Sequence, residues 1–111
     1  MSPTKEFLEA KKKESKIYRT EIAGQEFFFR AIRRDEHLAI QKEAFPEGVP
    51  LDAEKVSPEA NQKLEDLIVR KCVVWPESVE PSKEGAGVCP MLVAMVMKYS
   101  GFGMAAEPEE V

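Results

Sequence analysis

The reactive side chains of this sequence are few: Cys72 and Cys89, the single His37, and Trp75, which follows the first cysteine in "IVRKCVVWPES". A thiolate is a nucleophile and a metal ligand, and imidazole is a base or ligand near neutral pH. Sixteen residues lie between the cysteines, so they form no CxxC pair, and one histidine gives no ligand spacing for zinc. His37 follows Asp35 and Glu36 with no nucleophile near it in sequence, and reads as a surface histidine. Cys72 falls on the apolar stripe of a helix, where a thiol behaves as a small hydrophobe. Cys89 precedes Pro90; with proline as first helical residue it is an N-cap thiol, a position that lowers thiol pKa values. No base and no second thiol accompany it. Phosphate-binding loops, dinucleotide-binding glycines, paired catalytic carboxylates and a nucleophile elbow are all missing from the sequence. The expectation is a chain that is not an enzyme and uses no cofactor and no metal.

A chain of 111 residues, 43% hydrophobic and 32% charged, has the composition of one small globular domain. The net charge is −4, but "EPEEV" at the end holds three of the 20 acids. Residues 1–106 therefore carry 16 bases against 17 acids, a balance that argues against nucleic acid as partner. No apolar run reaches the roughly 18 residues that cross a bilayer, so no membrane partner is expected. Two thiols without zinc spacing or a secretory signal fit a reduced, cytosolic setting.

The elements that must position these residues follow from the patterning, which predicts an α+β fold: an N-terminal β-hairpin followed by a small bundle of about three helices. Residues 1–16 form a charged arm or frayed helix anchored by Phe7 and Leu8, and 17–102 make the single domain. A hairpin spans 17–31 around Ala23-Gly24, with Tyr18 opposite Phe29 and Thr20 opposite Phe27 on the core side. That register also sets Glu21 against Glu26, which a shifted or bulged loop would relieve. Helices are expected over about 34–45, 58–75 and 90–100. The first presents Leu38, Ile40, Ala44 and Phe45. The second starts at Ser57-Pro58 and carries Leu64, Leu67, Ile68, Cys72 and Trp75 to a stop at Pro76. The third ends at Gly101 in a left-handed cap, with Phe102 folded back. The remainder, 103–111, is expected to be a disordered acidic tail.

Protein-binding side chains are the better candidates for function. Phe28 points away from the hairpin's core face, Trp75 forms the rim of a groove, and Met91, Met95, Met97 and Phe102 crowd the last helix, whose apolar residues exceed one face. Met-rich surfaces repack easily against partners, and a second copy of the chain is one way to cover such a helix.

The order of parts carries a resemblance. "FxFRxI" at Phe27 to Ile32 leads into "RRDEHLAIQKEA" with Glu36; "EDLIVRKCVVWPE" spans Glu65 to Glu77; Ala86-Gly87 precedes an apolar helix closing on Ser100 to Phe102. Over residues 17–102 this arrangement resembles the tail assembly chaperones and baseplate hub assembly proteins of long-tailed bacteriophages. Arg33 stands where that pattern has a Ser or Thr helix cap, and the central loop is richer in proline. The resemblance implies a non-enzymatic protein of the host bacterial cytoplasm that masks apolar surface of a tape measure or baseplate hub component, or a permanent small subunit of the virion tail or baseplate.

Overall fold

β-Branched and aromatic residues alternate with polar ones in the first third of the chain, and they form two antiparallel strands, β1 (Ile17–Ile22) and β2 (Gln25–Arg30). The structure, a computed structural model, describes residues 3–77, 79–102 and 110, with only the backbone for Ala53 and Ser82. The acidic tail expected over 103–111 lies outside the described residues save for Glu110. Ala23 and Gly24 have φ values of 52° and 79°, the pair of positive angles that a type I′ hairpin turn requires. Tyr18 therefore opposes Phe29, Thr20 opposes Phe27 and Glu21 opposes Glu26. The two acids are relieved by Arg19, not by a bulge. Its Nε lies 2.6 Å from Glu26 Oε2 and its Nη2 3.8 Å from Glu21 Oε2.

The second amphipathic segment behaves differently from its pattern. Ser57 Oγ accepts from the Ala60 N–H at 3.0 Å and Pro58 opens the helix, α3 (Pro58–Cys72). The helix stops at Cys72, three residues before the expected end at Trp75. Val73, Val74 and Trp75 leave it to form β3 (Val73–Trp75), antiparallel to β2, with Phe28 opposite Trp75 and Phe29 opposite Val73. Two β-branched residues and an aromatic fit a strand better than a helical turn, and the open edge of β2 supplies backbone partners. The sheet order is β1-β2-β3, so among the described residues β1 has a neighbouring strand on one side only.

The two sheet faces are covered by different elements. On the inner face Phe27, Phe29 and Ile22 share one core with Ile68, Val69 and Cys72 of α3 and Leu92 and Val96 of α4 (Val88–Tyr99). On the outer face α1 (Lys5–Glu14) sets Phe7 edge-on to Trp75, ring centroids 5.7 Å apart. Thr4 Oγ1 caps this helix by accepting the Phe7 N–H at 3.1 Å. Phe28 is only 9% exposed, yet it is not part of the inner core cluster. Its partner Trp75 lies beside it under α1. The expectation that Phe28 is a free contact residue is thus corrected: β3, unforeseen, supplies it with a neighbour. Trp75 likewise does not continue the α3 stripe with Cys72: it pairs with Phe28, and an irregularity in the β2–β3 register separates it from Val73 of the inner core.

Two polar devices tie α2 (Arg34–Ala44) into place. Arg30 donates to both carboxylate oxygens of Glu36, at 2.9 and 2.8 Å, and Glu36 Oε1 also accepts the Arg33 N–H at 3.1 Å. The carboxylate three residues on thereby satisfies the helix start that Arg33 itself cannot cap. At the far end, Gly101 (φ 100°) closes α4: the Phe102 N–H reaches the Met97 carbonyl at 3.1 Å and the Gly101 N–H that of Lys98 at 3.2 Å. Ser100 Oγ accepts the Ile32 N–H at 2.8 Å, and the Phe102 ring meets His37 at 5.4 Å. The apolar side of α2 is Ile40 and Ala44, with buried Phe45 after it; Leu38, expected on that face, is 52% exposed.

Candidate functional site

The thiols come first, because they are the groups with intrinsic reactivity. Cys72 is fully buried in the inner core, and that burial pushes its pKa up to about 11 despite the nearby Arg30 charge. Cys89 is not an N-cap: Gly87 holds that place, because α4 starts at Val88 and not at Pro90. The Cys89 thiol is buried and points at the Pro81 carbonyl, 3.9 Å away. Burial raises its pKa, and the negative charges of Asp66, Glu84 and Glu65 raise it further. Both cysteines are free thiols in surroundings that disfavour the thiolate. Among the described residues no group of three or more His, Cys, Asp or Glu side chains is placed to hold a metal, and no helix is long and apolar enough to cross a membrane.

A cleft of about 400 Å³ under α1 collects Lys11, Arg30, Arg70 and Lys71 above Val73 and Val74. Three of these charges face carboxylates: Arg30 holds Glu36, Lys71 Nζ lies 3.9 Å from the same carboxylate, and Arg70 lies 3.9 Å from Glu80, while Lys11 sits over the Phe7 ring at 5.6 Å. The Arg30 hydrogen bonds hold the Glu36 carboxyl at about 2, against the opposing effect of burial. This arrangement is a structural latch joining β2, α2 and the end of α3.

The six expected partner-binding residues do not form one surface. Phe28 and Trp75 belong to the outer sheet face beneath α1. Met91, Met95, Met97 and Phe102 lie on α4 and just past its cap: Met91 is 48% and Phe102 52% exposed, while Met95 and Met97 are partly buried against the core. Two residues join them that were not among the expected contact residues. Tyr99, 43% exposed, lies tilted against Tyr18 of β1 with centroids 4.4 Å apart, and Leu38 flanks the His37 that Phe102 touches. Tyr99 was legible as one turn beyond Met95; Leu38 was not, because periodicity assigned it inward.

Two apolar areas result. One is the row Met91, Met95 and Tyr99 at four-residue steps, of which Met95 and Tyr99 border a groove of about 250 Å³ between α4 and β1. The other is the junction of α2 and α4, where Leu38 and Phe102 stand half exposed around His37. Neither brings an activated nucleophile or base to a cavity. Both offer large apolar side chains at the surface, which is the chemistry of protein contact. No protein-family model, no curated protein and no solved structure matches this chain.

Proposed function

We propose that this chain is a non-enzymatic adaptor that covers apolar surface on another protein. One observation carries the reading: α4 is apolar around its circumference, and the fold covers only part of it. Leu92 and Val96 are wholly buried, while Met91, Tyr99 and, beyond the cap, Phe102 remain about half exposed. A helix apolar on all sides wants cover on all sides, and side chains of this size left open are contact residues in waiting.

The resemblance carried by "FxFRxI", "EDLIVRKCVVWPE" and "SGF" supplies the partner class. It supports a tail assembly chaperone that holds a tape measure or baseplate hub component in the host bacterial cytoplasm until assembly. The mechanism is masking, in which the Leu38–Phe102 surface sits on helical segments that otherwise associate with one another. The purified chain should lower the light scattering of the tape measure protein encoded beside it, and Phe102→Ser or Leu38→Ser should weaken that protection. Unchanged scattering at equal copy number would remove the reading. Mass spectrometry of purified virions then separates a transient chaperone, which is lost from the particle, from a permanent tail or baseplate subunit, which stays at stoichiometric copy number.

A further inference from the structure

We propose that β1 is the seam of a homodimer: its free edge pairs antiparallel with β1 of a second copy about a two-fold axis at Thr20, joining two three-stranded sheets into one continuous sheet. The edge is available because β2 lies on one side of β1 and, among the described residues, no strand lies on the other. Beside a two-residue turn, Ile22, Thr20 and Tyr18 exchange their main-chain hydrogen bonds with β2. The N–H and C=O groups of Arg19 and Glu21 therefore point outward, a ready template for another strand.

Proteins commonly blunt such edges with charges that repel a copy. Here the charges are self-complementary. Arg19 and Glu21 flank Thr20 on "IYRTEI", with side chains 54% and 58% exposed. In the register centred on Thr20, Arg19 meets Glu21 of the second copy, and Glu21 meets its Arg19. Thr20 faces Thr20, and Tyr18 faces Ile22. Opposite charges, paired threonines and an aromatic against a β-branched residue are each favourable cross-strand pairs. Moving the axis by one residue sets Arg19 against Arg19 or Glu21 against Glu21, so charge selects the register. Within one chain Arg19 lies 2.6 Å from Glu26 and 3.8 Å from Glu21, and the seam adds a second cation for Glu21.

A separate feature points to the same axis. Met95 and Tyr99 border the groove whose wall is Tyr18 and Thr20 of β1, and Met91 continues their row one turn earlier. Strand pairing brings the identical row of the second copy toward this one on the inner side of the joined sheet, and each row covers the other. The dimer covers the Met91, Met95 and Tyr99 part of α4's apolar belt, and the Leu38–Phe102 surface just past the α4 cap stays open for the adaptor contact. Arg19 and Glu21 test the seam and Leu38 and Phe102 test the adaptor contact, so the two fail separately.

Sedimentation equilibrium of the purified chain tests the seam. The expected mass is twice the 12.5 kDa of one chain. Arg19→Glu and Glu21→Arg should each raise the dissociation constant about 30-fold, because each creates two like-charge pairs at the seam. Mixed in equal amounts, the two variants should recover the dimer, since one brings two acids and the other two bases. The double variant Arg19→Glu/Glu21→Arg restores both pairs and should dimerise by itself, which serves as the readout if a single variant fails to fold by circular dichroism. A monomeric wild type at the highest concentration reached, a dimer indifferent to both reversals, or folded variants that stay apart when mixed would each overturn the proposal.

Discussion

The two faces of the sheet bury aromatic rings by different means. Inside, Phe27 and Phe29 are 0% and 1% exposed and lie in a core shared with α3 and α4. Outside, Phe28 and Trp75 are adjacent across β2 and β3, and their cover is α1, a ten-residue helix with no buried residue of its own. The inner face is held by apolar contact on every side. The outer face is held by a thin lid, with the Arg30–Glu36 latch at the end of the same strand. Neighbouring residues of one strand are thus stabilised by quite different amounts of packing, and the fold's resistance to change should differ accordingly.

Truncation at adjacent positions gives the sharpest contrast. Phe29→Ala empties a ring-sized space in the inner core and should cost about 4 kcal/mol, at the upper end for such changes. Phe28→Ala removes a ring that is packed against Trp75 but backed by a lid that can settle into the gap, and about 2 kcal/mol is expected. Urea melts of both variants measure the difference; equal losses would mean that α1 packs as firmly as the inner core. A Phe28→Ala protein as stable as wild type would return that ring to the surface.

The latch makes the outer side sensitive to acid. Glu36 titrates at about 2 in the folded chain against an ordinary 4.5, because Arg30 bonds its charged form. A depressed folded pKa contributes stability that is complete above the unfolded value and is lost as pH falls from about 4.5 toward 2. The Glu36 side chain is 10% and that of Arg30 20% exposed, so solvent screening is modest and about 2 kcal/mol should disappear over that window. Glu36→Gln should take away a similar amount at neutral pH and flatten the acid limb of the stability curve. A variant with the wild-type acid slope would assign that slope to other carboxylates.

Much of the inner face was legible in the sequence, and the outer face was not, for reasons that lie in particular residues. Ala23-Gly24 set the hairpin turn, and the turn length fixed the pairing of Tyr18 with Phe29. Ser57-Pro58 and Gly101 marked helix ends through local chemistry that needs no distant partner. Val73 to Trp75 misled because their spacing extends the α3 stripe, while what they pair with lies far earlier in the chain, at Phe28 and Phe29. Losing β3 also misplaced Phe28, which a two-stranded hairpin leaves open. Cys89 was read as the cap of the last helix because the start was placed at Pro90, two residues late; Pro90 is tolerated anywhere in the first turn. Of the candidate surface, the α4 methionines were visible as excess apolar residues. The edge status of β1 and the exposure of Leu38 depend on which neighbours are absent, and local pattern does not encode absence.

The smallest effect tests how thin the lid is. Phe7 touches Trp75 edge-on at 5.7 Å, and both rings are only partly buried. An aromatic pair of this geometry adds about 1 kcal/mol beyond area burial, and partial exposure trims the burial itself. Phe7→Ala should therefore lower global stability by only about 1 kcal/mol, the least of these changes. Its local signature should be larger than its energetic one. Trp75 is the chain's single tryptophan, so its emission reports the outer face alone. Removing Phe7 admits water to the indole, and the emission maximum should move to longer wavelength while the inner core, read by the urea midpoint, barely shifts. If instead the midpoint drops by as much as it does for Phe29→Ala, α1 is an integral layer and the two faces are equals. If the emission stays where it is, the cover over Trp75 comes from β2 and Phe28, and α1 contributes little to it.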